Sequence, residues 1–333
     1  MNEIILILSF ILSFFLTIYG TPVAQKVAHQ YNILDFPDHK LKQQKEPVPY
    51  LGGIIIYFAF ISPVSLLFPF NKKLLGILFA SSILLIVGLF DDLKALTPVI
   101  KFLFQIIATF ILIRSGIFIK LSFFHPWINY ALSFIWIISM INAINIIDMM
   151  DGLAASITAL ASLTLFVISL YNQQFLISIL SISLAASLLG FLKFNWEPAK
   201  IYLGDSGSMF IGMVIGSLTI LGDYSQFNDL AFISGFMLLS IPIFDTVFVM
   251  ILRLLHKKSP FFGSNDHFAL RLQKKFRLST SKTICVIFIM QLVLMFFVFV
   301  NFYTNPTITI ISTITVVFLF SLMGLWLAEV KMD

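Results

Sequence analysis

The chain has 333 residues, 59% of them hydrophobic and only 11% charged, with a mean hydropathy of +1.00. That is too little charge to cover the surface of a soluble domain. Apolar runs of about 20 residues recur from end to end, which predicts transmembrane helices, and their lack of alternation argues against a β-barrel. The net charge of +5 is read as a topology signal rather than a nucleic-acid surface, and the single Cys285 leaves no intramolecular disulfide.

In chain order the apolar segments cover 4–23, 51–70, 74–90, 98–119, 128–147, 152–171, 174–194, 207–222, 229–252, 283–303 and 307–327. The expected architecture is an all-α polytopic membrane protein of about eleven transmembrane helices, one integral membrane domain over 1–333. Glu3 is the only charge before the first run, where a cleaved signal would carry Lys or Arg, so that segment is expected to be retained. With the N-terminus outside and the C-terminus in the cytoplasm, only Lys72, Lys73, Arg114 and Lys120 of the 21 basic residues fall outside. Cytoplasmic loops are then expected at about 24–50, 91–97, 148–151, 195–206 and 253–282. No internal repeat is visible, which weighs against an inverted-repeat transporter.

The same topology gathers most carboxylates on one face. Asp91 and Asp92 follow the third segment, at the negative end of a helix dipole, where they need a cation; Lys94 and Lys101 are candidates. An ordinary solvated loop would also place Asp there. Asn142 and Asn145 share a face of the fifth helix, and Asp148 and Asp151 are held in the short turn that follows, with Asp151 placed to cap the sixth helix. Helix capping alone does not account for four polar residues at such spacing. In Gly204-Asp205-Ser206-Gly207-Ser208, small residues at a helix start leave N–H groups for phosphate oxygens, and Asp205 suits a metal that bridges them; a simple cap is the competing reading. Asp245 lies inside the ninth segment, where a buried carboxylate bonded to Ser or Thr of a neighbouring helix is the preferred reading over a direct catalytic role. His267 and Arg271 lie in a basic loop, where His267 suits a phosphate or base and Arg271 a diphosphate clamp, with anionic-lipid binding as the competing reading.

These motifs, in this order, resemble the polyprenyl-phosphate N-acetylhexosamine-1-phosphate transferases, or glycosyltransferase family 4. That family includes the phospho-MurNAc-pentapeptide translocase and undecaprenyl-phosphate GlcNAc-1-phosphate transferases. The resemblance runs from about Asp35 to Leu272 and rests on Pro47 to Gly53 with Lys45 nearby, Asp91-Asp92 with Lys101 and Gln105, Asn142 to Leu153, and Phe194 to Lys200 followed by Gly204 to Ser208. Two departures stand out. Met149 occupies the place where the family has Gly, and the family's histidine cluster is reduced to His267 in Asp266-His267-Phe268.

The resemblance implies that a sugar-1-phosphate, expected to be N-acetylhexosamine-1-phosphate, passes from a UDP-sugar to undecaprenyl phosphate, giving polyprenyl-diphospho-sugar and UMP. This would be the first membrane step of a cell-envelope glycan, at the cytoplasmic face of the cell membrane. Mg²⁺ is the expected cofactor, with Mn²⁺ as an alternative, held by Asp205 and Asp151. Asp91, Asp92, Asp148, Asp151 and His267 are the catalytic candidates. Lys45, Lys101, Asn142, Asn145, Asn195, Gly204, Ser206 and Arg271 are the substrate-binding candidates. Expected partners are the UDP-sugar, the prenyl phosphate and the bilayer; nucleic acid is not expected, and a homodimer is compatible with the sequence. Two rivals make different predictions. An ion-coupled transporter using Asp245 and the Asn pair needs essential polar residues near the bilayer midplane, and a scaffold derived from the family has no turnover.

Overall fold

The computed structural model describes residues 2–37, 46–122, 124–222, 230–257 and 264–332. The chain divides into two compact units, Met1–Gly222 and Asp223–Asp333.

The first unit holds eight helices: α1 (Asn2–Gln30), α2 (Gly52–Leu67), α3 (Lys72–Leu93), α4 (Pro98–Arg114), α5 (Pro126–Ile147), α6 (Leu153–Tyr171), α7 (Phe175–Asn195) and α8 (Gly204–Leu221). A two-residue strand β1 (Leu34–Asp35) pairs antiparallel with β2 (Val48–Pro49). Local chemistry sets several starts. Asn71 caps α3 by accepting the Leu74 N–H at 2.9 Å, and proline occupies the first turn of α4 and α5, where its missing N–H costs nothing.

The centre of this unit is α8, buried at every residue from Ser206 to Thr219 and packed against α2, α3 and α5. Small residues make that approach possible. A Cβ at Gly212 would lie 2.7 Å from the Met140 carbonyl oxygen, and Trp136 on α5 donates its indole N–H to the Gly216 carbonyl at 3.1 Å. Gly53 at the start of α2 meets the Gly207 backbone directly. The exposed faces of α1 and α4 are apolar, with Ile4, Tyr19, Phe102 and Phe110 outward, as lipid contact requires.

The second unit holds α9 (Ile233–Leu238), α10 (Ser240–Leu255), α11 (Phe268–Phe276), α12 (Thr280–Tyr303) and α13 (Pro306–Ala328). Arg271 on α11 donates to the carbonyl oxygens of Leu327 (3.1 Å), Ala328 (3.3 Å) and Val330 (2.6 Å) at the end of α13, a favourable place for a cation.

Each apolar segment read from the sequence coincides with helix, with three corrections. The first helix runs on to Gln30, beyond the expected 4–23. The ninth segment is two helices, interrupted at Leu239. Pro242 has no N–H for the Leu238 carbonyl, and its ring clashes with it; the freed carbonyl instead accepts the amide of Gln291 at 2.9 Å. The expected loop 253–282 contains α11. Among the described residues, eight helices are long and apolar enough to cross a membrane; α2, α4 and α10, at 16, 17 and 16 residues, are shorter.

Candidate active site

The end of α3 meets the start of α8. The Asp92 carboxylate accepts the backbone N–H of Asp205 at 2.8 Å and of Ser206 at 3.1 Å. A charge placed badly at the C-terminus of α3 is thereby placed well at the N-terminus of α8. Gly204 has φ +74°, and a Cβ there would lie 2.7 Å from Asp92 Oδ2, so this turn requires glycine. One turn before Asp92, a Cβ at Gly88 would lie 2.5 Å from the Asp205 carbonyl oxygen and the Ser206 Cα.

Asp91 faces the other way. Its Oδ1 accepts the Leu96 N–H at 2.6 Å and its Oδ2 accepts from Lys101 Nζ at 2.9 Å. The same ammonium reaches Asp205 Oδ2 at 2.9 Å. Asp205 Oδ1 accepts from Asn145 Nδ2 at 3.0 Å, and that amide also donates to Ser208 Oγ at 2.8 Å. Side chains from α3, α4, α5 and α8 therefore form one partly exposed network around a shared cation. One turn further in, Gln105 and Asn142 exchange amide hydrogen bonds of 2.8 and 3.3 Å, and Asn142 also donates to the Ile138 carbonyl at 2.8 Å.

The turn after α5 adds more acid. Burial, and then the charges of Asp205, Asp92 and Asp151, push the Asp148 carboxyl well above the usual carboxylate range. Burial also raises Asp151, although its Oδ2 accepts the Ala199 N–H at 2.8 Å. The Tyr202 hydroxyl is raised by burial and by the charges of Asp151, Asp35 and Asp148. Asn195 accepts the Gly152 N–H at 3.0 Å and donates to the Ile201 carbonyl at 2.9 Å, holding the turn against the end of α7.

The structure thus brings together Asp91, Asp92, Lys101, Asn145 and Asp205, with Asp148 in electrostatic range. Several expectations change. Two N–H groups at the start of α8, expected to meet phosphate, are given to Asp92. Asp151 does not cap α6; Gly152 stands at the N-cap with φ +74° and offers no side chain, and Asp151 caps the Ala199 backbone instead. Asn142 and Asn195 spend their amides on protein partners. Arg271 is buried and bonded to Asp266 and the end of α13, so its guanidinium is a structural tie rather than the expected diphosphate clamp. Asp245 is buried as expected, but its partners are His267 and the Phe268 N–H rather than a hydroxyl. His267 lies in the second unit, and Lys45 lies outside the described residues. Ser208 was read only as a small residue of the α8 start, and its hydroxyl bond to Asn145 was not foreseen; nor was the placing of Tyr202 near the acids. Ser208 follows Asp205 by three residues on α8, so helical spacing was the available signal.

No three of His, Cys, Asp and Glu converge as a ready metal cage among the described residues. The donors present are nevertheless oxygen, and Mg²⁺ usually takes one or two carboxylates and completes its shell with water and substrate phosphate. Asp205, already sharing a cation with Asp91, fits that demand.

The family model described as glycosyl transferase family 4 matches residues 74–223. A probable undecaprenyl-phosphate N-acetylglucosaminyl 1-phosphate transferase of Bacillus subtilis is 31% identical over 85% of this chain and 81% of its own length. The chain belongs to glycosyl transferase family 4. It is also similar to an undecaprenyl-phosphate alpha-N-acetylglucosaminyl 1-phosphate transferase of Thermotoga maritima, at 30% identity over 77% of each chain. A phospho-N-acetylmuramoyl-pentapeptide-transferase of Chlamydia trachomatis is 31% identical over 55% of this chain and 63% of its own. Membership in this family and the apolar helices make the chain a multi-pass membrane glycosyltransferase. The matched range contains α3, α4, α5 and α8, which carry the network around Lys101.

Proposed function

We propose that the chain transfers N-acetylhexosamine-1-phosphate from a UDP-sugar to undecaprenyl phosphate, releasing UMP. The observation that carries this reading is the single ammonium of Lys101 held between Asp91 and Asp205, beside Asn145, at the meeting of four helix ends. The relatives' names support an undecaprenyl-phosphate acceptor and an N-acetylglucosaminyl 1-phosphate group as what is transferred, and the UDP-sugar donor is part of the proposal. In the reaction a lipid phosphate oxygen bonds to the β-phosphorus of the donor. The bond from that phosphorus to the bridging oxygen breaks, and its electron pair leaves with UMP.

Catalysis of this kind is mostly positioning and charge stabilisation. Lys101 is the residue to neutralise phosphate oxygens, exchanging part of its contact with Asp205 for substrate. Asn145 orients the Asp205 carboxylate, and Asp92 anchors the start of α8. Asp205 would hold Mg²⁺, with Asp91 or Asp151 in support, and the ion would supply Lewis-acid stabilisation of the transferring phosphate. A phosphate monoester has its second pKa near 6, so the attacking lipid needs no dedicated base at neutral pH. This suits an Asp92 whose oxygens both accept backbone N–H groups. His267 is assigned to a phosphate oxygen of the donor. We further propose eleven crossings, with the N-terminus outside and these helix ends at the cytoplasmic face; the distribution of Lys and Arg supports this.

The test is purified protein with undecaprenyl phosphate, Mg²⁺ and a panel of UDP-sugars, with UMP as the readout. UMP should form only when both lipid and a UDP-N-acetylhexosamine are present. Absence of UMP with every donor, from folded protein, would leave the scaffold reading instead.

A further inference from the structure

Asp245 is completely buried in α10. A carboxylate in that setting is expensive unless both oxygens are satisfied. Its Oδ1 accepts the Phe268 N–H at 2.9 Å, at the first turn of α11. Its Oδ2 meets His267 Nδ1 at 2.7 Å. With Asp245 accepting both hydrogen bonds, Nδ1 carries the hydrogen. The ring's other nitrogen, Nε2, has no hydrogen-bond partner among the described residues. One carboxylate therefore fixes both the backbone that carries His267 and the orientation of its ring.

We infer that Asp245 is a positioning residue for the transfer reaction: it anchors His267 through Nδ1 and fixes the orientation of the ring, so that Nε2 is presented to a phosphate group of the substrate. This rests on the assignment of His267 to a substrate phosphate. A purely structural Asp245 would need only to cap α11, and asparagine would do that equally well. The amide oxygen of asparagine keeps the Phe268 bond, but its NH₂ faces Nδ1. Nδ1 must then accept instead of donate, and the ring hydrogen moves to Nε2. Asp245→Asn is therefore nearly silent for the fold and specific for the ring.

The experiment measures UMP release and unfolding temperature for Asp245→Asn, His267→Ala and the double variant. His267→Ala should lower kcat/KM by roughly 100-fold, and Asp245→Asn by about 10-fold, the difference between a charge-assisted and a neutral hydrogen bond. The double variant should match His267→Ala, because the carboxylate has nothing left to position. Asp245→Asn and the double variant should unfold within a few degrees of the parent, whereas His267→Ala should unfold lower, because it leaves a buried Asp245 oxygen without its partner. Wild-type activity in Asp245→Asn beside a crippled His267→Ala would overturn the inference. So would a further loss in the double variant, or a large fall in unfolding temperature with Asp245→Asn. Full activity in His267→Ala would instead refute the assignment of His267 itself.

Discussion

Asp205 carries the largest share of the network, since one oxygen takes Lys101 and the other Asn145. Asp205→Asn keeps the shape and removes the charge. Turnover should fall roughly 100–1,000-fold, the usual cost of one strong electrostatic contact at a reacting centre, with little change in unfolding temperature. A variant with undiminished UMP release would show that the cation site lies elsewhere. Asp148 makes a different prediction, about stability. Its carboxyl is held well above the usual range by burial and by neighbouring acids. The folded state therefore binds that proton more tightly than the unfolded chain does. Stability contributed at this residue falls as pH rises from the ordinary carboxylate range near 4 toward the raised folded value. Asp148→Asn cannot ionise, so it should unfold at a higher temperature than wild type at pH 7. The advantage should vanish near pH 4. A thermal-melt series at several pH values checks this, and an advantage that grows toward acid pH would refute it. The same variant should lose activity, as expected where a site stores unfavourable charge.

At the scale of elements, the site depends on how closely α3 and α8 approach. Gly88 sits under the Asp205 backbone, and an added Cβ would meet main-chain atoms at 2.5 Å. Backbone does not yield as a flexible side chain would, so Gly88→Ala should cost about 1–3 kcal/mol of overpacking. It should also shift Asp205 against Lys101, with a loss of activity on the order of 100-fold. If Gly88→Ala melts and turns over as wild type does, the glycine contact is not what sets the site. Most helices were legible because lipid demands a long apolar run and nothing else in the chain resembles one. The break at Leu239 was not legible. Pro242 stands in the middle of the 229–252 segment and was the available signal, but membrane helices often carry an interior proline as a kink within one span. Only Gln291, far along the chain on α12, makes the interruption tolerable by bonding the Leu238 carbonyl. Arg271 shows the opposite error. A basic residue in a polar loop reads as a ligand, but the end of α13 presents it with carbonyl oxygens.

For the whole molecule, the proposed topology puts the ends carrying Asp92, Ser206 and Lys274 at the cytoplasmic face. Cysteines introduced beside them at Leu93, Tyr202 and Lys274, in a Cys285→Ser background, should react only with reagents that enter the cell. Labelling of any of them from outside by an impermeant maleimide would dismantle the shared-face proposal. Sequence alone determined that the chain is helical and membrane-spanning, and it named Asp91, Asp92, Lys101, Asn145 and Asp205 as candidates, which the structure brings together. Hydrophobic length is a property of each segment, and motif spacing is a property of each helix end. Pairing is not. Which carboxylate would cap α8, which acids would share Lys101, and which residue would hold His267 were decided by contacts between residues up to 114 apart in the chain. Each polar group in an apolar bundle must find a partner, and only the packing of the helices determines which one is within reach.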